Sequence, residues 1–403
     1  MSLILFAIPA FFALILLELA IDSRRKTGFY RVNDSINSLT IGVYSRIAGL
    51  ARAAIPLSFY PLVLDALAIY EVSATWYWWV IAFVLYDFCY YWNHRFGHEI
   101  SFFWASHVVH HSSEEYNLTT ALRQTSTSLL GWIFYLPLAL LGIPVEMLIT
   151  VGALNLIYQF WVHTRHIPKL GWYEWLFVTP SNHRVHHAQN QCYIDKNYGG
   201  VFILWDRLFG TFQEELDDEP PLYGIRKALS SWNPLWANVH VYSQLAKDSW
   251  HTARWGDKWR VWFGRTGWRP EDVSQSHPIA KADLSRFKKF DIPLSIHERL
   301  YATLQHIGIL LITLVFLLNV SALTPIMKWS VAGFIFVSGM TLAAFMEHRV
   351  WAHVTEWIRQ LAMLGVIISG ALPTWLTTSL LVIIAISLPM LWQRKRTSTL
   401  VLE

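Results

Sequence analysis

A chain of 403 residues that is 54% hydrophobic and only 15% charged, with mean hydropathy +0.32, is too apolar for an ordinary soluble domain, where about a quarter of the residues carry charge. The composition points to a membrane protein, and 22 tryptophans suit its interfacial belts. A net charge of +4 gives no case for nucleic acid, and the two cysteines, Cys89 and Cys192, are too few for an iron–sulfur cluster held by four thiolates.

Residues 2–21 are almost wholly apolar and of spanning length. Arg24, Arg25 and Lys26 follow this run rather than precede it, which predicts a retained helix with its basic end in the cytosol, not a cleaved signal. Glu18 lies near that end and is expected to reach the interface. Residues 39–70, broken by Arg46, Arg52 and Pro56, read as one span preceded by an interfacial helix. Residues 75–92 form the next expected span and lead into the histidines.

Residues 87–111 read DFCYYWNHRFGHEISFFWASHVVHH. Positions three or four apart share a helix face, so His94 pairs with His98, and His107 with His111, His110 standing beside them. Asp87, Tyr91, His94 and His98 form one stripe, in which Asp87 is placed to accept the second N–H of a ligating imidazole. The H-x-x-H-H spacing returns at His183, His186 and His187. His163, arriving at a span end, is a ninth candidate and His166 a weaker one. A lone H-x-x-x-H is usually structural. Three clusters favour a dinuclear metal centre, and imidazole, neutral near pH 7, suits iron, zinc, copper or nickel.

Beyond His111, Ser112 or Ser113 is expected to cap a helix with Glu115 as its partner. Residues 126–160 predict two apolar helices joined at Gly142-Ile143-Pro144. Residues 163–298 are polar, aromatic and irregular, and Gly199-Gly200 and Gly210 mark tight turns. Residues 232–268 alternate Trp with Lys and Arg, as in a helix lying on lipid headgroups or on a solvated charged face. Four more apolar stretches follow at 301–320, 327–346, 357–372 and 376–391, then Arg394, Lys395 and Arg396. About nine spans from an outside N-terminus place both histidine regions in the cytosol. Glu347, His348, Arg349 and His353 read as salt-bridged linkers. The expected fold is all-α: a multi-pass membrane helical bundle with a cytosolic His-rich di-metal cap, residues 1–298 forming the catalytic domain and 299–403 a C-terminal helical membrane domain.

Zinc hydrolysis needs three protein ligands and commonly reads H-E-x-x-H, whereas Glu99 here falls outside the His94–His98 pair. A metal transporter would place ionisable groups near mid-membrane, not at span ends and in loops. Two irons activating dioxygen for C–H attack fit better, because that chemistry needs a redox metal.

The segments DFCYYWNHRFGHE, HVVHHSSEEYNLTTALRQ, YQFWVHT, TPSNHRVHH and DKNYGGVFILWDRLFGTF resemble the fatty acid hydroxylase and sterol desaturase superfamily of membrane di-iron enzymes. The likeness is close over about residues 87–212, and HHSSEEYNL and DKNYGG narrow it to the branch acting on O-alkylglycerols. It implies a monooxygenase using two Fe ions, dioxygen and an external reductant, tetrahydrobiopterin. Such an enzyme hydroxylates the alkyl carbon beside the ether oxygen of a lipid in the bilayer, releasing a fatty aldehyde and a glycerol derivative. By motif matching the ligands are His94, His98, His107, His110, His111, His163, His183, His186 and His187. Glu99 matches the family's acidic position, holding a ligand or a water. Asp87, Asn117, Asp195 and Asn197 are candidates to support ligands or touch substrate. The implied location is the bacterial cytoplasmic membrane or the endoplasmic reticulum, with the catalytic face cytosolic. The alternative within the superfamily is a sterol, acyl-chain or carotenoid hydroxylase or desaturase fed by an external electron donor.

Overall fold

In a computed structural model, residues 3–280, 283–370 and 372–400 are described, the side chains of 393–400 excepted; Arg394, Lys395 and Arg396 therefore lie outside the described side chains. In chain order the helices are α1 (Leu3–Arg25), α2 (Val32–Arg52), α3 (Ala54–Leu67), α4 (Trp76–Glu99), α5 (Ser101–His111), α6 (Leu118–Ala121), α7 (Leu136–Leu140), α8 (Val145–Trp161), α9 (Pro180–His186), α10 (Leu204–Leu208), α11 (Pro234–His251), α12 (Trp255–Phe263), α13 (Glu271–Ser276), α14 (Ile296–Asn319), α15 (Pro325–Met346), α16 (Ala352–Ile368) and α17 (Thr374–Leu400). Three isolated bridges are the only β-pairing among the described residues, so the expected all-α class holds.

Among the described residues, four helices are long and apolar enough to cross a membrane: α1, α14, α15 and, over Thr374–Trp392, α17. The pair α2–α3, bent by 47°, adds a fifth if it is one span. The chain is thus consistent with a multi-pass membrane protein, but the count falls short of the nine expected. The physical reason is polarity and length. From its middle onward α4 carries Asp87, Asn93, Arg95 and Glu99 besides its histidines. Residues 126–160 yield a 3₁₀ turn, five-residue α7 and 17-residue α8, and α16 buries Glu356, Arg359 and Gln360.

The chain divides into two compact units. The first comprises residues 1–30, 48–229 and 238–288. There α4 packs against α5 and α8, and α1 against α8, where the Phe11 and Phe160 rings stack at 4.1 Å. Glu18, expected to extend outward, instead turns into the protein. It is buried and accepts hydrogen bonds from the Tyr30 hydroxyl, Leu118 N (2.8 Å) and Thr164 Oγ1 (2.5 Å), tying α1 to the segments after α5 and α8. The Gly142 turn forms as expected: at φ +87° a Cβ there would lie 1.9 Å from the Tyr70 carbonyl oxygen, so only glycine fits.

The second unit comprises residues 31–47, 230–237 and 289–403. Its core joins Tyr44 to Phe336, Tyr301 and Phe345. A buried polar network runs through it: Tyr301 Oη and Arg359 both donate to Glu356 (2.6 and 2.5 Å), and Arg359 also reaches Gln305 at 2.8 Å. Of the four groups expected to form salt-bridged linkers, Glu347 pairs with Arg349 and His348 Nε2 lies 3.1 Å from Glu298, whereas His353 accepts the Trp357 indole N–H at 3.1 Å instead.

Candidate metal centre

Four elements of the first unit deliver the histidines. Helix α4 carries His94 and His98, and a single extended residue, Ile100, turns the chain into α5 with His107, His110 and His111. His163 lies just past α8. Helix α9 supplies His183 and His186, with His187 at its C-cap. It starts where it does because Pro180 fits the first turn and Thr179 and Asn182 cap each other reciprocally.

These nine side chains meet in two groups. His94, His98, His107, His111 and His186 form one; His110, His163, His183 and His187 form the other. In each group one ring nitrogen per residue lies within 4.8 Å of all the others. Both H-x-x-H-H motifs are divided between the groups: His107 and His111 go to one and His110 to the other, while His183 and His187 join His110, and His186 crosses over. Helical geometry explains the division. At about 100° per residue, positions i and i+4 diverge by about 40°, whereas i+3 leans about 60° the other way.

The ring nitrogens are oriented from behind by backbone carbonyls. His94 Nδ1 donates to Tyr198 O (2.7 Å), His110 Nδ1 to Arg123 O (2.9 Å), His163 Nδ1 to Gln159 O (2.8 Å) and His186 Nδ1 to Lys196 O (2.9 Å). A carbonyl oxygen only accepts, so the hydrogen sits on Nδ1. Burial keeps the rings neutral, holding His94 down to about 3 and His110 to about 4, and the other seven well below the ordinary histidine value. Each neutral Nδ1–H ring then presents a bare lone pair at Nε2.

The Nε2 atoms face one another within each group. His110 and His163, both Nδ1-bonded to carbonyls, bring Nε2 atoms to 3.3 Å, and His163 meets His183 at 3.1 Å. In the other group His107 Nε2 lies 3.0 Å from both His94 and His111. The buried Nε2 atoms of His98 and His186 have no hydrogen-bond partner. Where both rings carry their hydrogen on Nδ1, as His110 and His163 do, two acceptors in such contact repel unless a cation lies between them. Nitrogens bound at about 2.1 Å and at right angles are about 3.0 Å apart, so the spacing suits metal ligands. The residues present fit two ions, one per group.

The other expected site residues lie further out. Asp87 donates nothing to, and accepts nothing from, an imidazole. It is fully buried and accepts from Asn155 Nδ2 (2.6 Å), Val201 N (2.8 Å), Phe202 N (2.9 Å) and Trp205 Nε1 (3.0 Å). It thereby anchors the loop whose Tyr198 carbonyl orients His94. Asp206 secures the same loop through Tyr198 N and Gly199 N, both at 2.7 Å. Glu99 pairs with Arg95 at 2.9 Å and belongs to neither histidine group. Asn117, not Ser112 or Ser113, is the N-cap after α5, with Thr120 as its capping-box partner, and its amide reaches Phe29 O. Ser112 instead ends α5. Asn197, at φ +56°, bonds Asn182 O and Gln213 O; Asp195, at φ +59°, shares this left-handed turn. His166 lies apart, its ring tilted 42° to that of Phe29 at 5.0 Å. Cys89 and Cys192 are both free.

Sequence reading missed Arg123, Arg184 and Tyr198. Buried Arg123 donates to Val109 O (2.7 Å) and Ser112 Oγ (2.9 Å), holding the end of α5. Arg184 joins α9 to the segment after α8 through Thr164 O and Ile167 O, and pairs with Glu215 at 2.6 Å. The Tyr198 ring packs 5.3 Å from that of His98.

An all-α chain with membrane-length helices and two buried histidine groups is the arrangement of a membrane di-metal protein. Residues 79–211 match the family model described as Fatty acid hydroxylase. The chain is 35% identical over 358 residues to alkylglycerol monooxygenase of Xenopus tropicalis, covering 88% of this chain and 79% of that protein. It is 42% identical over 268 residues to the alkylglycerol monooxygenase of Danio rerio and 40% over 269 to that of Homo sapiens, each match covering 66% of this chain and 59% of the relative. The chain belongs to the fatty acid hydroxylase/sterol desaturase superfamily and is closely related to the alkylglycerol monooxygenases. No solved structure gives a significant match.

Proposed function

We propose that this protein is a membrane monooxygenase that hydroxylates the alkyl carbon beside the ether oxygen of O-alkylglycerol lipids. The observation that supports it most is the pair of buried histidine groups whose Nε2 atoms approach one another to 3.0–3.3 Å, together with the likeness to alkylglycerol monooxygenases. The ligands in this reading are the nine histidines, five on one ion and four on the other. Two irons held by these histidines would supply the redox chemistry that activates dioxygen for C–H oxidation. Substrate, dioxygen, two electrons and two protons give a hemiacetal and one water; the hemiacetal collapses to a fatty aldehyde and a glycerol. The electrons come from an external reductant, tetrahydrobiopterin by resemblance.

The chain's own residues have separable tasks in this account. Tyr198, Arg123, Gln159 and Lys196 carbonyls fix ring orientation, and Asp87 and Asp206 hold the 198–206 loop. Glu99, half-buried beside Arg95, is a candidate for the proton path rather than a ligand. Purified protein in lipid nanodiscs, given an alkylglycerol and oxygen with tetrahydrobiopterin or with a protein electron donor, tests the reading. Fatty aldehyde release with pterin is the expected result. A stable alcohol or an alkene formed only with the protein donor would overturn it in favour of a sterol, acyl-chain or carotenoid hydroxylase or desaturase.

A further inference from the structure

A cavity of about 150 Å³ lies between α4, α5, residues 124–131, α8 and Tyr242 of α11. Its wall includes His94 and His107 of one histidine group and His110 of the other, so whatever occupies it sits beside both. His107, the one half-buried ligand candidate among eight buried ones, faces this space. The exposed Leu129 and Leu130 also line it and mark its opening.

Size decides which part of a lipid fits. An apolar cavity of about 150 Å³ takes up benzene, a molecule of six heavy atoms. Glycerol also has six. A long alkyl chain exceeds this space, so it must leave through the opening.

Lining chemistry decides what kind of head group fits. No Asp, Glu, Lys or Arg lines the cavity. Amides and hydroxyls come from Asn93, Ser106, Gln124, Thr127, Ser128 and Tyr242. An ionic group drawn inside would lose its hydration with no opposite charge to replace it. Gln124 donates its amide hydrogen to Ala121 O (3.0 Å), and its side-chain oxygen accepts no hydrogen bond among the described residues. At Gly131 a Cβ would lie 3.0 Å from Ser128 Oγ and 3.2 Å from Asn93 Oδ1, so two polar atoms converge where glycine leaves room.

We propose that this cavity is the head-group subsite, in which Asn93, Gln124 and Ser128 hydrogen-bond the free hydroxyls of a neutral glycerol ether while the alkyl chain leaves past Leu129 and Leu130. It rests on the monooxygenase reading, and the chemistry is consistent with it: the carbon attacked is bonded to the ether oxygen, so the glycerol must lie next to the histidines. These three residues are specificity-determining, not metal-binding.

The test compares a 1-O-alkylglycerol with an ether of the same chain that lacks both free hydroxyls, using the full-length protein in nanodiscs. Wild type should favour the alkylglycerol in kcat/KM. Gln124→Leu and Ser128→Ala should each shrink that preference about 3–10-fold, through KM, at unchanged iron content. Equilibrium binding of the alkylglycerol to iron-free protein, read by tryptophan fluorescence, should weaken by the same factor. An unaltered preference in both variants, with aldehyde still released, would overturn the subsite and leave the monooxygenase reading intact. Discriminating binding that the variants lose, with no aldehyde from any of them, would sustain the subsite and overturn the monooxygenase.

Discussion

Replacing Asp87 by asparagine separates a residue that reacts from one that holds the site together. The wild-type carboxylate accepts four hydrogen bonds, from two backbone amides, an asparagine and a tryptophan. In Asp87→Asn one oxygen becomes an NH₂ that confronts donors, so about two buried N–H groups lose their acceptor, at about 1–3 kcal/mol each. The strain falls on the loop presenting the Tyr198 carbonyl to His94 Nδ1. Disturbing such an outer partner typically lowers metal affinity about 10–100-fold. Iron per chain after dialysis against a graded chelator, with the melting temperature on the same samples, measures both effects. The account expects iron to be lost at lower chelator concentration and the melting temperature to fall. Full iron retention with abolished turnover would refute this reasoning and make Asp87 a participant in the chemistry.

His110→Ala or His187→Ala should lower bound iron from two per chain to about one and abolish oxidation, because both belong to the four-histidine group; His348→Ala, paired with Glu298 outside either group, should leave iron unchanged. Gly200→Ala should destabilise the protein and loosen iron, since its Cβ would come within 2.8 Å of Asp87 Oδ1 and of the Tyr90 ring; a melting temperature equal to wild type would contradict that. Acid should weaken the iron-free fold. The histidines are depressed to about 3 (His94) and about 4 (His110) when folded, so below about pH 6.5 the unfolded chain binds more protons. Stability is therefore complete above about pH 6.5 and falls as pH drops towards 4, and a melting temperature flat from pH 7 to 5 would contradict it.

Histidine identity was legible because helical spacing is local: three and four residues suffice to put rings on one face. What spacing concealed was the division, in which His110 and His186 each leave their neighbours for the opposite group. The orienting carbonyls of Tyr198, Arg123, Gln159 and Lys196 were illegible in principle, because every residue carries a carbonyl and only the fold selects four of them. Asp87 was singled out for the right neighbourhood and the wrong partner. Its i+7 relation to His94 is real, but its oxygens turn to the 201–205 segment, more than a hundred residues away in sequence. Span counting went astray where apolar runs were aromatic and polar together, as in α4, or too short, as around α7. Residues 31–47 packing with 289–403 left no mark in the periodicity, because the contact of Tyr44 with Phe336 is a matter of tertiary fit.

X-ray absorption and metal analysis on one preparation of the intact protein test the central claim most directly. The account predicts two irons per chain, each in a shell of imidazole nitrogens at about 2.1 Å. A single ion per chain, or zinc in place of iron, would contradict it.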